Sequence, residues 1–135
     1  MSNGTSNVGA LKNTFIVIAI IDFVYGLGFL LMPAMQFQMS QDPGIPANPS
    51  WVRWAGGVLI GIAIACWLAS RDPAKQRPLV VGFCVGHALA ALALVYGVLS
   101  GEYQGVAWYI WSPVVLTGGM AVALWWLNNK YQSVL

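Results

Sequence analysis

Four apolar stretches, each near the length that crosses a bilayer, occupy residues 14–32, 52–69, 79–99 and 107–127. A hydrocarbon layer about 30 Å thick takes about 20 apolar residues at 1.5 Å rise each, and all four stretches reach or approach that length. Only 7% of the residues are charged, whereas an ordinary soluble chain carries about 25%. The pattern predicts an all-α fold, an integral membrane four-helix bundle running up-down-up-down, as a single membrane domain over residues 1–135. The longest segment outside the spans, residues 33–51, is too short to fold a core of its own.

Helix breakers fall between the spans. Pro33 ends the first, and the run DPGIPANP at residues 42–49 holds three prolines and a glycine, which no helix interior tolerates. Arg71-Asp72-Pro73 predicts a tight turn, and Pro78 suits the first turn of the third span. The first span is longer than the apolar region of a secretory signal, contains Asp22 and Tyr25, and is followed by no small-x-small cleavage site, so it reads as a retained helix.

The basic residues sort to one side. Lys12, Arg71, Lys75, Arg77 and Lys130 flank the ends that the positive-inside rule places in the cytoplasm, while the other two loops hold only Asp42 and Glu102. Both termini are then cytoplasmic, and the expected location is a bacterial inner membrane. The acceptor pattern Asn3-Gly4-Thr5 falls on that cytoplasmic side, so it reads as chance. Arg53 is the exception, at the outer edge beside Trp51 and Trp54, where its stem reaches the interface and its charge suits a lipid phosphate. Trp51, Trp54, Tyr103, Trp108, Tyr109 and Trp111 form an outer aromatic belt, and Trp67, Trp125, Trp126 and Tyr131 an inner one.

Between helices in lipid there is little hydrophobic drive, so small residues that admit close backbone approach must supply cohesion. The second span offers Gly57 and Gly61 with Ala65 and Ala69, and the third Gly82 and Gly86 with Ala90. The fourth has Gly119 and Ala123 with Ser112 on the same stripe, and the first Gly26. Packing within the chain is the expectation for these stripes. A homo-oligomer interface is the alternative.

Asp22 and His87 are the polar groups at membrane depth. Each lies eight to nine residues beyond the predicted cytoplasmic start of its span, so the two reach one level. An ionised carboxylate there costs about 2.5–3.5 kcal/mol on insertion scales. Asp22 therefore carries its proton or has a partner, and His87 is the only other such group at that depth. Tyr25, one turn away, and Thr117 of the fourth span are candidates to complete a hydrogen-bonded cluster. The functional reading is a proton relay, or an anchor for an amphipathic ligand such as a quinone or lipid head group. The structural reading is a staple between two helices.

Several chemistries are set aside. Cys66 and Cys84 both fall inside spans, without the spacing of a metal or redox motif. One histidine cannot supply bis-histidine haem or di-iron ligation, and no phosphate loop or nucleophile elbow is present. Six scattered Lys and Arg offer no nucleic-acid surface. No catalytic residue, metal or cofactor is predicted.

The run Arg53-Trp54-Ala55-Gly56-Gly57, the Arg71-Asp72-Pro73 turn, Gly86-His87-Ala88-Leu89 and the loop opening Gly97-Val98-Leu99-Ser100-Gly101 belong together. In combination they resemble a group of small four-helix bacterial inner-membrane proteins that includes DoxX-like families. The resemblance spans residues 15–127; it implies the four-helix architecture and singles out Arg53 and His87, but transfers no catalytic residue. The expected role is a non-enzymatic accessory or assembly component of the bilayer, packing against other membrane subunits or itself. The alternative is a small transporter, or a quinone- or lipid-binding protein, using Asp22 and His87.

Overall fold

A computed structural model describes residues 3–43 and 49–132. The described chain is all-helical: α1 (Asn3–Leu31), α2 (Pro33–Ser40), α3 (Ser50–Ala69), a 3-10 turn (Pro73–Lys75), α4 (Arg77–Leu99) and α5 (Ala107–Gln132). No strand occurs among the described residues. Four of the helices are long and apolar enough to cross a membrane, over Val8–Leu31, Ser50–Ala69, Arg77–Leu99 and Ala107–Lys130. Much of their surface is apolar and outward, with Val24, Leu92, Leu99, Val115 and Val122 all more than half exposed. A surface of that kind suggests a multi-pass membrane protein.

The first helix begins well before its apolar run, so Lys12 lies within α1 rather than ahead of it. Nothing between residues 3 and 13 is a proline, and a helix once nucleated adds residues at little cost. A short helix, α2, occupies part of the segment that reads as a loop in sequence. Pro33 opens it, where a fixed φ suits the first turn and a missing N–H goes unnoticed. At its end Gln41 adopts the left-handed conformation, φ 49°, and donates its N–H to the Phe37 carbonyl. Of the run 42–49, residues 44–48 lie outside the described residues.

Pro113 sits inside α5 without ending it. Proline removes one donor, and hydroxyl side chains in membrane helices commonly take up the local slack. The carbonyl that loses its donor is that of Tyr109, which the Ser112 hydroxyl reaches at 3.5 Å, while Thr117 donates its hydroxyl to the Pro113 carbonyl at 2.7 Å, one turn back.

Lateral packing is uneven. α1 packs along α3 and α5, α4 packs along α5, and α2 rests on α1 and α5. α3 and α4 make little contact although they follow one another in the chain, because the 3-10 turn between them, with Pro73 buried, lies against α1. The closest approach is between α1 and α3 at Gly26 and Gly56. A Cβ on Gly56 would stand 2.7 Å from both the Gly26 carbonyl oxygen and the Leu30 nitrogen. One on Gly26 would stand 2.9 Å from the Gly56 carbonyl oxygen. Only hydrogen side chains permit this backbone-on-backbone contact.

The apolar core gathers at one end. Leu11, Phe15, Ile18 and Ala19 of α1 meet Cys66 and Ala69 of α3, Val80 of α4, and Met120, Leu124 and Leu127 of α5. At the other end the ties are polar. The Val106 N–H donates to the Ser40 carbonyl at 2.8 Å, and the Tyr103 hydroxyl reaches the same oxygen at 3.2 Å. The Tyr109 hydroxyl donates to Gln36 Oε1 at 2.9 Å. These bonds fasten α2 to the start of α5.

Candidate functional site

Asp22 and His87 come together. Both fall in the middle third of their apolar spans, both side chains are only 9% exposed, and Asp22 Oδ2 lies 3.8 Å from His87 Nε2. The pair sits above the Phe15–Phe83 edge-to-face contact, whose ring centroids are 6.3 Å apart. It thus joins α1 to α4, two helices whose backbones scarcely approach each other elsewhere.

The imidazole is aimed by its own helix. His87 Nδ1 lies 2.7 Å from the Phe83 carbonyl oxygen, one turn earlier in α4. A carbonyl only accepts, so Nδ1 carries the hydrogen of that bond, and Nε2 is the nitrogen turned to Asp22. Asp22 Oδ2 has no hydrogen-bond partner and is sealed from solvent. Buried carboxylate oxygens are nearly always bonded, so an orphan of this kind marks a position where a proton has consequences. Cys66 of α3 stands within electrostatic reach of Asp22.

The two companions expected of this pair turn elsewhere. Tyr25 sets its ring edge-on to Phe29, centroids 6.2 Å apart, and Thr117 spends its hydroxyl on Pro113. Neither donates a hydrogen bond to Asp22 or His87, and only Thr117 is bonded within its own helix. The Cys84 thiol donates across the α4–α5 interface to the Ala121 carbonyl at 3.3 Å, and both cysteines are free. Arg53 and Trp54 are exposed at the first turns of α3. Among the described residues no group of three metal-ligating side chains converges.

The small-residue stripes divide in a way the sequence spacing does not reveal. Gly57, Gly61, Gly82, Gly86 and Gly119 are exposed, and a Cβ on any of them would meet open space. They do not pack within the chain. Close packing falls instead to Gly26 and Gly56, because α3 turns Gly56 toward α1, and the next residue, 100° further round the helix, points away. On α4 the open stripe continues from Gly82 and Gly86 through Ala90 and Ala93, all exposed. That helix buries only Val80 and His87.

Sequence reading missed two participants. The Phe83 carbonyl stands four residues before His87, a spacing visible in the sequence, but a backbone acceptor leaves no trace in residue type. Gly56 is hidden by its neighbour Gly57, since adjacent glycines look alike until the helix rotation is known. Comparison of the chain with protein-family models, with curated proteins and with solved structures finds no match.

Proposed function

We propose that the protein is an assembly component of a membrane, whose α4 face receives a transmembrane helix of another membrane subunit or of a second copy. The observation that carries this reading is the open glycine stripe on a helix that its own fold leaves almost uncovered. Glycine facing lipid forgoes side-chain packing and leaves backbone bare. Two glycines one turn apart, continued by alanines, give a shallow groove in which a second helix backbone fits. Gly57 and Gly61 on α3 and Gly119 on α5 extend the same offer to other sides.

In this reading the four spans run up-down-up-down in a bacterial inner membrane, with both termini and the turn at residues 71–77 in the cytoplasm. The one-sided placement of Lys12, Arg71, Lys75, Arg77 and Lys130 supports it. The meeting of Gly26 with Gly56, and of Leu11 with Ala69 in the core at the opposite end, supports opposed directions for α1 and α3. The short motifs around Arg53, Arg71, His87 and Gly97 support a place beside the DoxX-like group.

The test is recovery of the protein from membranes in mild detergent, followed by native mass spectrometry. A complex heavier than one chain is expected, and Gly82→Leu with Gly86→Leu should dissolve it while leaving the isolated chain folded. A wild-type protein that is monomeric and alone under those conditions would refute the reading, as would a complex indifferent to both substitutions.

A further inference from the structure

The Asp22–His87 contact supports a second conclusion, independent of whether any partner occupies α4. We propose that these two residues form a binding site for a single proton, held between Asp22 Oδ2 and His87 Nε2, and that this proton fastens α1 to α4. Since Nδ1 is committed as a donor to Phe83, the Nε2–Oδ2 gap has three possible fillings. With no proton, an imidazole lone pair faces a carboxylate. Both groups are then acceptors, and a bare negative charge is buried. With two protons, an imidazolium N–H faces a carboxylic O–H, and a bare positive charge is buried.

With one proton the gap is satisfied in either arrangement. An O–H donates to the Nε2 lone pair, or an N–H of imidazolium donates to carboxylate. Moving between the two breaks one bond to hydrogen as the other forms, and the pair stays neutral throughout. Burying an uncompensated charge costs several kcal/mol, so the low-dielectric setting selects the one-proton filling.

Among the described residues the surroundings leave no other group to compensate a charge. His87 is the one ion-pairing partner Asp22 has among the described residues. On α3 the facing titratable group is Cys66, which is neutral as a thiol and buried. On α4 the nearer thiol, Cys84, is engaged with Ala121. The titratable groups of α5 with described side chains, Tyr109 and Lys130, lie toward its two ends, and Lys12 and Tyr25 are α1's own. The carboxyl oxygen is orphaned in the static arrangement because its missing partner is a hydrogen.

The chain has one histidine, so 15N labelling of histidine reports this ring alone. Solid-state NMR of the full chain in lipid vesicles, with 13C-labelled aspartate, reads both partners at once. At pH 7 Nδ1 should be protonated, Nε2 should be dipole-coupled to one aspartate carboxyl carbon, and one hydrogen should be shared between them. A bare Nε2 coupled to an ionised carboxylate, or a protonated Nε2 coupled to a neutral acid, would overturn the proposal, as would loss of the dipolar coupling.

Asp22→Asn supplies the second arm. Its amide N–H can donate to Nε2 and preserve the contact, but it brings no acidic proton. Nε2 should then be a plain acceptor whose 15N signal is that of an unprotonated ring nitrogen, with Nδ1 still protonated. A variant whose Nε2 signal is the same as that of wild type would sink the idea. If that variant does not fold, the wild-type spectra alone still decide.

Discussion

Replacing Gly56 with alanine tests the α1–α3 contact most sharply, because Gly57 beside it serves as a control of identical chemistry. At Gly56 the new methyl would lie 2.7 Å from two backbone atoms of α1 and 3.0 Å from the Phe29 Cβ. Backbone cannot swing aside as a flexible side chain can. The helices must separate by about 0.7 Å to bring a 2.7 Å approach out to the 3.4 Å of ordinary contact. Overpacking of this sort costs typically about 1–3 kcal/mol, and the obstruction by two backbone atoms of α1 argues for the upper part of that range. Alanine returns about 1 kcal/mol of helix propensity. The net loss is then roughly 1–2 kcal/mol, near a tenfold change in the folding equilibrium. Gly57→Ala meets nothing within 4 Å and should be neutral or slightly stabilising. Reversible unfolding in mixed micelles, followed by tryptophan fluorescence and circular dichroism, compares the two. Equal stability of the two variants, or a more stable Gly56→Ala, would refute the packing argument.

Other consequences follow from single contacts. Gly105→Ala would drive a Cβ into the Ser40 carbonyl and the Tyr103 hydroxyl, so hydrogen exchange should rise over α2 and the start of α5 while the core at the other end is unchanged. Burial, and after it the nearby Asp42, holds the Tyr103 phenol above its usual range. Because the folded value is the higher one, its contribution is complete below about pH 10 and is lost as pH rises through the raised value. The α2 tie should therefore weaken only in strong alkali, and ultraviolet titration of wild type against Tyr103→Phe should show a late-titrating phenol. The hydrogen bond from Lys75 to Asp72 at 2.8 Å raises the ammonium's pKa, yet its side chain is 81% exposed, so Lys75→Ala should leave the unfolding midpoint unchanged. A clear shift would mean that the turn is held by charge rather than by the burial of Pro73.

Hydropathy over windows of about twenty residues made the four long helices legible, since span length and backbone self-satisfaction leave few options in lipid. Their lateral order was not, because neighbours in sequence need not be neighbours in space when a connecting turn folds onto a third helix. The 3-10 turn packed on α1 has that effect on α3 and α4. Asp22 and His87 were legible as a pair because depth can be counted along two helices. Tyr25 and Thr117 resembled companions by depth alone, whereas rotation about the helix axis sends one to Phe29 and the other to Pro113. Rotation also decides the glycines. A four-residue repeat marks a groove, but whether the groove faces inward depends on packing that a single chain's spacing does not encode. Eight residues of α2 carry too short a period to announce a helix, and Pro33 reads as a stop when it also serves as a start.

The bond from His87 to the Phe83 carbonyl has a bearing on biosynthesis. His87 finds a partner four residues back, so on entering a bilayer α4 would have half of its imidazole already satisfied. Asp22 emerges from the ribosome long before His87, and its Oδ2 has no hydrogen-bond partner in its own helix. In a bilayer the first helix would wait, its acid group either neutral or tethered to the interface, until the second half of the protein arrived beside it. Maturation of the bundle is thereby tied to the order of translation, with the earliest segment the last to be relieved.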